Sequence, residues 1–368
     1  MGQIAAYEHG GNLYQAARSK GVAALELLDF SANINPLGLA STVEKTIIEQ
    51  LPYIIHYPDA ETTALKTAIS EYYRVPMDQL IAGNGAVELL YLLCHMIHPK
   101  RVLVPAPTFS EYERAAAASG AQIDYCFLQE EKGFVFDIPA MLAAMTRKSI
   151  VFIANPNNPT GTLMTRQDII AVIAKAEALD SLVVIDESFI DFLPDDEEYT
   201  CRWLVAKYPN LVILHSLTKF YAIPGLRLGF AIASPELVSL LHKGKDPWNV
   251  NSLAQAAGVA ALADWEYRRV SRQVVADAKE KIFLELKAIK EIKAYSPAVN
   301  YILINIAKSG LTAGQMRAQL FEHNVMVRDC SNYPGLTSHY IRVAVKLPEQ
   351  NSKLIRALQQ ILAGEKHD

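Results

Sequence analysis

An α/β protein with a mostly parallel, helix-covered sheet and a second, smaller α+β domain is the fold this sequence predicts. Short apolar runs recur through the middle of the chain, at 102–104, Ile150–Ala154, 182–185, 211–214 and 229–233, several of them β-branched. Helical patterns separate them, and that alternation packs as strands joined by helices. A length of 368 residues with 51% hydrophobic content is enough for two domains and a sizeable core.

The organisation expected along the chain is an arm over residues 1–50, a large domain over 51–250 and a small carboxyl-terminal domain over 251–368. The arm carries loops that fold back onto the small domain and the ligand site. From about 252 to 292 a helical pattern runs with few breakers. Residues 301–306 and 340–345 then alternate like strands of a smaller sheet, and 354–362 reads as a closing helix.

Charge is balanced, 35 basic against 39 acidic residues for a formal net of −4, so no general affinity for nucleic acid or an anionic membrane follows. A small anionic ligand must be met by local cations. Cys94, Cys126, Cys201 and Cys330 are scattered, without metal-ligand spacing or disulfide density, and no metal site is expected. Met1-Gly2-Gln3-Ile4-Ala5-Ala6 has no signal-peptide pattern, and Ala6 stands where a myristoylation signal wants Ser or Thr. No stretch approaches a membrane span. A reduced, cytoplasmic enzyme is expected.

The most informative run is Ser216-Leu217-Thr218-Lys219-Phe220-Tyr221-Ala222-Ile223-Pro224-Gly225-Leu226-Arg227. It follows the apolar pattern 211–214, so Lys219 falls just past the end of a core strand. An isolated lysine there is ordinarily solvated surface, because lysine is rarely buried without a partner. Flanked by Ser216, Thr218 and Arg227, it is better explained as an amine that forms a Schiff base with pyridoxal 5'-phosphate. The two hydroxyls and the guanidinium would grip the phosphate.

Three other segments agree with that reading. Val183-Val184-Ile185-Asp186-Glu187 puts Asp186 at the carboxyl end of a strand, where open α/β sheets bind ligands. A carboxylate there can keep a pyridine nitrogen protonated. Capping of a turn is the plainer role, expected of Glu187. Asn155-Pro156-Asn157-Asn158-Pro159-Thr160-Gly161 specifies a rigid turn at the same edge, from which Asn158 can donate to a phenolate oxygen. Ala82-Gly83-Asn84-Gly85-Ala86 opens an apolar helix and leaves backbone N–H groups at Gly85 and Ala86 for an anion.

Taken in order, these segments resemble the fold type I pyridoxal-phosphate enzymes, the aspartate aminotransferase superfamily. Further runs extend the resemblance over nearly the whole chain: His9-Gly10-Gly11-Asn12, Asp29-Phe30-Ser31-Ala32-Asn33-Ile34-Asn35-Pro36, Pro247-Trp248-Asn249-Val250-Asn251 and Asn332-Tyr333-Pro334-Gly335-Leu336. These are similar to L-threonine-O-3-phosphate decarboxylases and, close to them, histidinol-phosphate aminotransferases.

The resemblance implies that Gly85, Ala86, Asn158, Asp186, Ser216, Thr218, Lys219 and Arg227 hold pyridoxal 5'-phosphate. It also implies a homodimer in which Tyr57 reaches the phosphate of the neighbouring subunit's cofactor. His9, Gly10, Asn33, Asn158, Arg328 and Arg342 would hold a small phosphorylated amino acid. By pattern alone Arg328 and Arg342, in alternating strand-like runs, would face water; a planar guanidinium nevertheless suits carboxylate or phosphate. Which of them takes which anion stays open. Histidinol-phosphate aminotransferases usually carry tyrosine where this chain has Phe189, three residues past Asp186. Phenylalanine cannot donate to the cofactor's phenolic oxygen, and it is what the decarboxylases show.

The cofactor end cannot choose between the two reactions. The Cα bond perpendicular to the ring breaks most easily, so the groups that hold the substrate decide. The resemblance implies decarboxylation of L-threonine O-3-phosphate to carbon dioxide and (R)-1-amino-2-propanol O-2-phosphate, the precursor of the aminopropanol linker of cobalamin. Histidinol-phosphate transamination is the alternative on the same fold. A non-catalytic module that only senses the cofactor is a third reading; against it, the chain starts almost at the family's own beginning, leaving no room for a fused DNA-binding domain.

Overall fold

The apolar runs in the middle of the chain become neighbouring strands of one sheet. A computed structural model describes residues 10–364. In chain order its strands are β1 (Leu28–Asp29), β2 (Leu80–Gly83), β3 (Arg101–Ala106), β4 (Gln122–Phe127), β5 (Ile150–Ala154), β6 (Leu182–Asp186) and β7 (Leu211–Ser216). β8 (Gly229–Ile232), β9 (Lys293–Ala294), β10 (Tyr301–Asn305), β11 (Val325–Met326), β12 (Arg328–Asp329) and β13 (Tyr340–Ala344) follow.

By internal packing the described chain divides into two units. The larger comprises Leu37–Asn158 and Thr162–Gln273. The smaller is drawn from residues 10–36, Pro159–Gly161 and residues 274–364. The boundaries expected at 50 and 250 are not where the packing changes. Helix Ser252–Ala263 lies against helices Ser41–Gln50 and Thr63–Tyr73, so all three belong to the larger unit.

The larger unit is built on a seven-stranded sheet in the order β2-β8-β7-β6-β5-β3-β4. The β4–β3–β5–β6–β7 run is parallel, and β8 pairs antiparallel with both β7 and β2. The connection from β7 to β8 carries only the short helix Leu217–Phe220 and a turn at Pro224–Leu226. A parallel return needs a full crossover, so the chain doubles back instead. β5 and β7 are buried along their whole length, as strands covered by helices on both faces must be. Helix Ala86–Ile97 covers part of that sheet with Leu89, Leu90, Leu93 and Cys94, which join Val104, Phe152, Val184 and Val212 in one core.

The smaller unit has a four-stranded antiparallel sheet in the order β12-β13-β10-β9, and a parallel pairing of β1 with β11. Ile302, Ile304, Ile341 and Val343 pack against Met316 and Leu320 of helix Ala313–Glu322 and Leu354 and Leu358 of helix Pro348–Leu362. The long helical pattern expected over 252–292 is two helices, Ser252–Ala263 and Trp265–Lys287. Asp264 makes the break: its Oδ1 accepts from Tyr267 N at 2.9 Å, an N-cap that starts a new helix. Among the described residues no helix is long and apolar enough to cross a membrane.

Candidate active site

In the larger unit, β2, β8 and β7 bring Gly83, Gly229 and Ser216 to one level of the sheet, because Gly83 pairs with Gly229 and Gly229 with Ser216. The chain leaves β2 through Gly85, the N-cap of helix Ala86–Ile97, with φ of 84°. Its first-turn N–H groups lack intrahelical acceptors, and the helix dipole adds positive potential there. A Cβ on Gly85 would lie 2.4 Å from Arg227 Nη2, so the guanidinium rests directly on the glycine backbone. Ser216 Oγ and Thr218 Oγ1 are 2.7 Å apart. Gly85, Ala86, Ser216, Thr218 and Arg227 are thus close neighbours, and they form a cradle of N–H, hydroxyl and guanidinium donors suited to a phosphate.

Lys219, half-buried, lies in the short helix directly after β7. Asp186 ends β6, the strand beside β7. Its Oδ1 accepts from Ser188 N at 2.9 Å and its Oδ2 from the Tyr112 hydroxyl at 2.7 Å. Asp186, not Glu187, therefore makes the turn contact. Asn158 is 8% exposed, in the turn after β5. That turn is tied internally: Met164 N donates to Asn155 Oδ1 at 2.9 Å, Asn157 N to Thr162 O at 2.9 Å, and Asn157 Nδ2 to Pro107 O at 2.9 Å.

Glu187 is a buried structural acid. Its carboxylate accepts from Thr200 Oγ1 and Cys201 N, both at 2.8 Å, and burial pushes its pKa from 4.5 up to about 7. A raised folded-state value means this group contributes most below the unfolded value, and its contribution is lost as pH rises through the folded one. Relative to Glu187→Gln, the parent should therefore lose stability between about pH 4.5 and 7. At about 1.4 kcal/mol per unit the difference reaches roughly 3 kcal/mol. Urea unfolding of both proteins at pH 5 and pH 8 checks this, and an equal pH response in the two would contradict it.

Phe189 is buried and stacks on Phe192. Tyr57 is 79% exposed and stacks on Trp248 at 4.7 Å. With Leu51, Tyr53, Ile54 and Ile55 it forms an exposed apolar strip over 51–57.

In the smaller unit, Arg328 on β12 and Arg342 on β13 are direct cross-strand partners, only 4% and 5% exposed. The expectation from pattern alone, that both face water, is therefore corrected. Like charges opposed across a ladder repel, and together the two guanidinium groups give this face a positive potential suited to an anion. Arg328 Nη2 donates to Asn332 Oδ1 at 3.0 Å and its guanidinium lies over the Tyr333 ring. Arg342 Nη2 donates to Ser31 O at 2.8 Å and its guanidinium lies over Tyr301. Gly10 touches the same carbonyl, since a Cβ there would meet Ser31 O at 2.1 Å. Asn33 is buried, and its side-chain Oδ1 has no hydrogen-bond partner among the described residues, which leaves a polar group for a ligand to satisfy. A recess of about 900 Å³ in this unit is lined by Gly10, Ser31, Arg317, Arg328 and Asp329 among others. His9 lies outside the described residues.

Tyr112 is the residue that sequence reasoning missed. The signal available was its place in Thr108-Phe109-Ser110-Glu111-Tyr112, the segment just past the carboxyl end of β3. Among the described residues no group of three or more His, Cys, Asp or Glu is placed to hold a metal ion.

A donor cradle suited to a phosphate, a lysine just past a strand end and a carboxylate on the next strand fit an α/β enzyme that uses a phosphorylated cofactor. The chain belongs to the aminotransferase class I and II family, whose pattern matches residues 26–358. A threonine-phosphate decarboxylase of Salmonella typhimurium is 35% identical over 97% of this chain and 97% of its own length. The crystal structure of L-threonine-O-3-phosphate decarboxylase from Porphyromonas gingivalis superposes with a TM-score of 0.81 and 25% identity, covering 92% of this chain and all of that one (100%). The histidinol-phosphate aminotransferase from Clostridium acetobutylicum reaches a TM-score of 0.86 at 29% identity, again over 92% and 100%.

Proposed function

We propose that this chain is a pyridoxal-phosphate-dependent carboxy-lyase. It converts L-threonine O-3-phosphate to carbon dioxide and (R)-1-amino-2-propanol O-2-phosphate, for the aminopropanol linker of cobalamin, in the cytoplasm. The observation that carries the reading is the likeness, over 97% of this chain and 97% of the relative, to a threonine-phosphate decarboxylase. A substrate with phosphate at one end and carboxylate at the other suits the two buried, opposed guanidinium groups of Arg328 and Arg342. The hydroxyl-free Phe189 supports the same choice.

The donors at Gly85, Ala86, Ser216, Thr218 and Arg227 fit the cofactor's phosphate, and Asp186 fits its ring nitrogen. Asn158 donates to the phenolic oxygen. When bound, pyridoxal 5'-phosphate supplies an electron sink for the pair left by the departing carboxylate. Lys219 would hold the cofactor, and Lys219 or a held water would deliver the proton to Cα. Arg328, Arg342, Asn33, Gly10 and His9 hold the substrate's anions and fix which Cα bond is presented for cleavage. A second copy of the chain covers the strip 51–57 and receives Tyr57 at its cofactor phosphate. The mass of the active enzyme in solution tests this, and a fully active monomer would contradict it.

Histidinol-phosphate transamination is the second reading, favoured by the superposition on the Clostridium enzyme. Glutamate also carries two carboxylates, so it is the discriminating substrate. Loaded protein mixed with glutamate should keep its absorbance unchanged over many turnover times. Conversion to the pyridoxamine form at a catalytic rate would move the chain to the transaminases.

A further inference from the structure

Asp186 meets two donors of different kinds. Ser188 N, on its own turn, takes Oδ1; the Tyr112 hydroxyl, from helix Glu111–Ala118, takes Oδ2 at 2.7 Å. Hydroxyl-to-carboxylate bonds this short are charge-assisted and among the stronger hydrogen bonds. Tyr112 is also held: it is 1% exposed, its ring lies parallel to Phe152 within 8° at 5.3 Å, and it meets Phe109 edge-on at 5.6 Å. A ring clamped between two aromatic neighbours cannot swing its hydroxyl elsewhere without opening the core.

We propose that Tyr112 is a positioning residue that holds the Asp186 carboxylate in its aim at the cofactor's ring nitrogen. The proposal rests on the cofactor reading above and deepens it. With Ser188 N on Oδ1 and the Tyr112 hydroxyl on Oδ2, the carboxylate is fixed in one orientation. Stripped of the Tyr112 donor it would be free to turn, its hydrogen bond to the ring nitrogen would weaken, and the ring would pull electrons less well. Substrate anions are held by other residues, so binding should be left alone.

The test uses the pyridoxal-phosphate-loaded protein, with the cofactor labelled with nitrogen-15 in its ring, and the variant Tyr112→Phe, which keeps the stacked ring and deletes the donor. The ring-nitrogen resonance should move toward that of unprotonated pyridine. kcat should fall about tenfold, the scale of one hydrogen bond to a charged group, with KM within about twofold of the parent. Tyr112→His, which keeps a ring donor near the same place, should fall between parent and Tyr112→Phe in both readouts, and it serves as the second variant if Tyr112→Phe loses its fold by circular dichroism. An unshifted resonance in a folded variant overturns the proposal, even if kcat falls, because lost packing would then suffice. If the parent transaminates instead of decarboxylating, the reaction assignment fails while the resonance still reads Tyr112. A parent that binds no pyridoxal phosphate overturns both.

Discussion

Lys219→Ala is expected to abolish turnover and to remove the borohydride-reducible link between protein and cofactor. The phosphate cradle and Asp186 are untouched by that change, so the variant should still bind pyridoxal phosphate, now without a covalent bond. On the proposed mechanism two roles go at once: the amine that would hold the cofactor, and a donor that would return a proton to Cα. Loss of a positioned proton donor alone costs roughly 10²- to 10⁴-fold, and the covalent role adds to it. Because Lys219 is half-buried at the mouth of a short helix rather than packed in the core, the truncation should leave the fold intact. Rates and reductive trapping, measured on parent and variant side by side, check the expectation. A variant that is still trapped by borohydride would remove Lys219 from its role.

The second large effect is expected at the arginine pair. Arg342→Ala and Arg328→Ala should each raise KM for threonine O-3-phosphate steeply, since removing one member of a desolvated charged contact costs about 2–5 kcal/mol. That is about 30-fold to several thousandfold in affinity. Each variant should also release slow, abortive formation of pyridoxamine phosphate, because a substrate held at one end no longer presents a single Cα bond. Lysine at either position should rescue only part, lacking the planar two-pronged fork. Unliganded stability should respond differently. Arg328 and Arg342 oppose each other across β12 and β13, so deleting one relieves repulsion. KM values within about twofold of the parent for both alanine variants would exclude the pair from the substrate site.

The placement of the residues proposed for the cofactor could be read because it is written locally. Asp186 ends an apolar strand, Lys219, Asn158 and Gly85 follow one within a few residues, and strand ends in an α/β sheet share one edge. The central strands were legible for a related reason, since the middles of β5, β6 and β7 are buried on both faces and read as apolar runs. β4 was not read, because Gln122–Phe127 is a half-exposed edge strand with Asp124 in its middle. β2 is short and ends in Ala82-Gly83, poor strand formers.

What the sequence withheld depends on register and distant pairing. The burial and opposition of Arg328 and Arg342 arise only when β12 and β13 align, and nothing in either run fixes that alignment. The bond from Tyr112 to Asp186 joins residues 74 apart in the chain. The antiparallel turn of β8 comes from a connection too poor in helix to cross over. Asp264 looked like one polar residue in a helical pattern, and its capping of Tyr267 became visible only in three dimensions.

The central claim is loss of the carboxylate from a phosphorylated amino acid. Threonine O-3-phosphate labelled with carbon-13 in its carboxylate, incubated with the pyridoxal-phosphate-loaded protein, tests it most directly. The prediction is one labelled carbon dioxide for each aminopropanol phosphate formed, with no build-up of pyridoxamine phosphate. Label retained in a 2-oxo acid product, with the cofactor converted to its amine form, would contradict it.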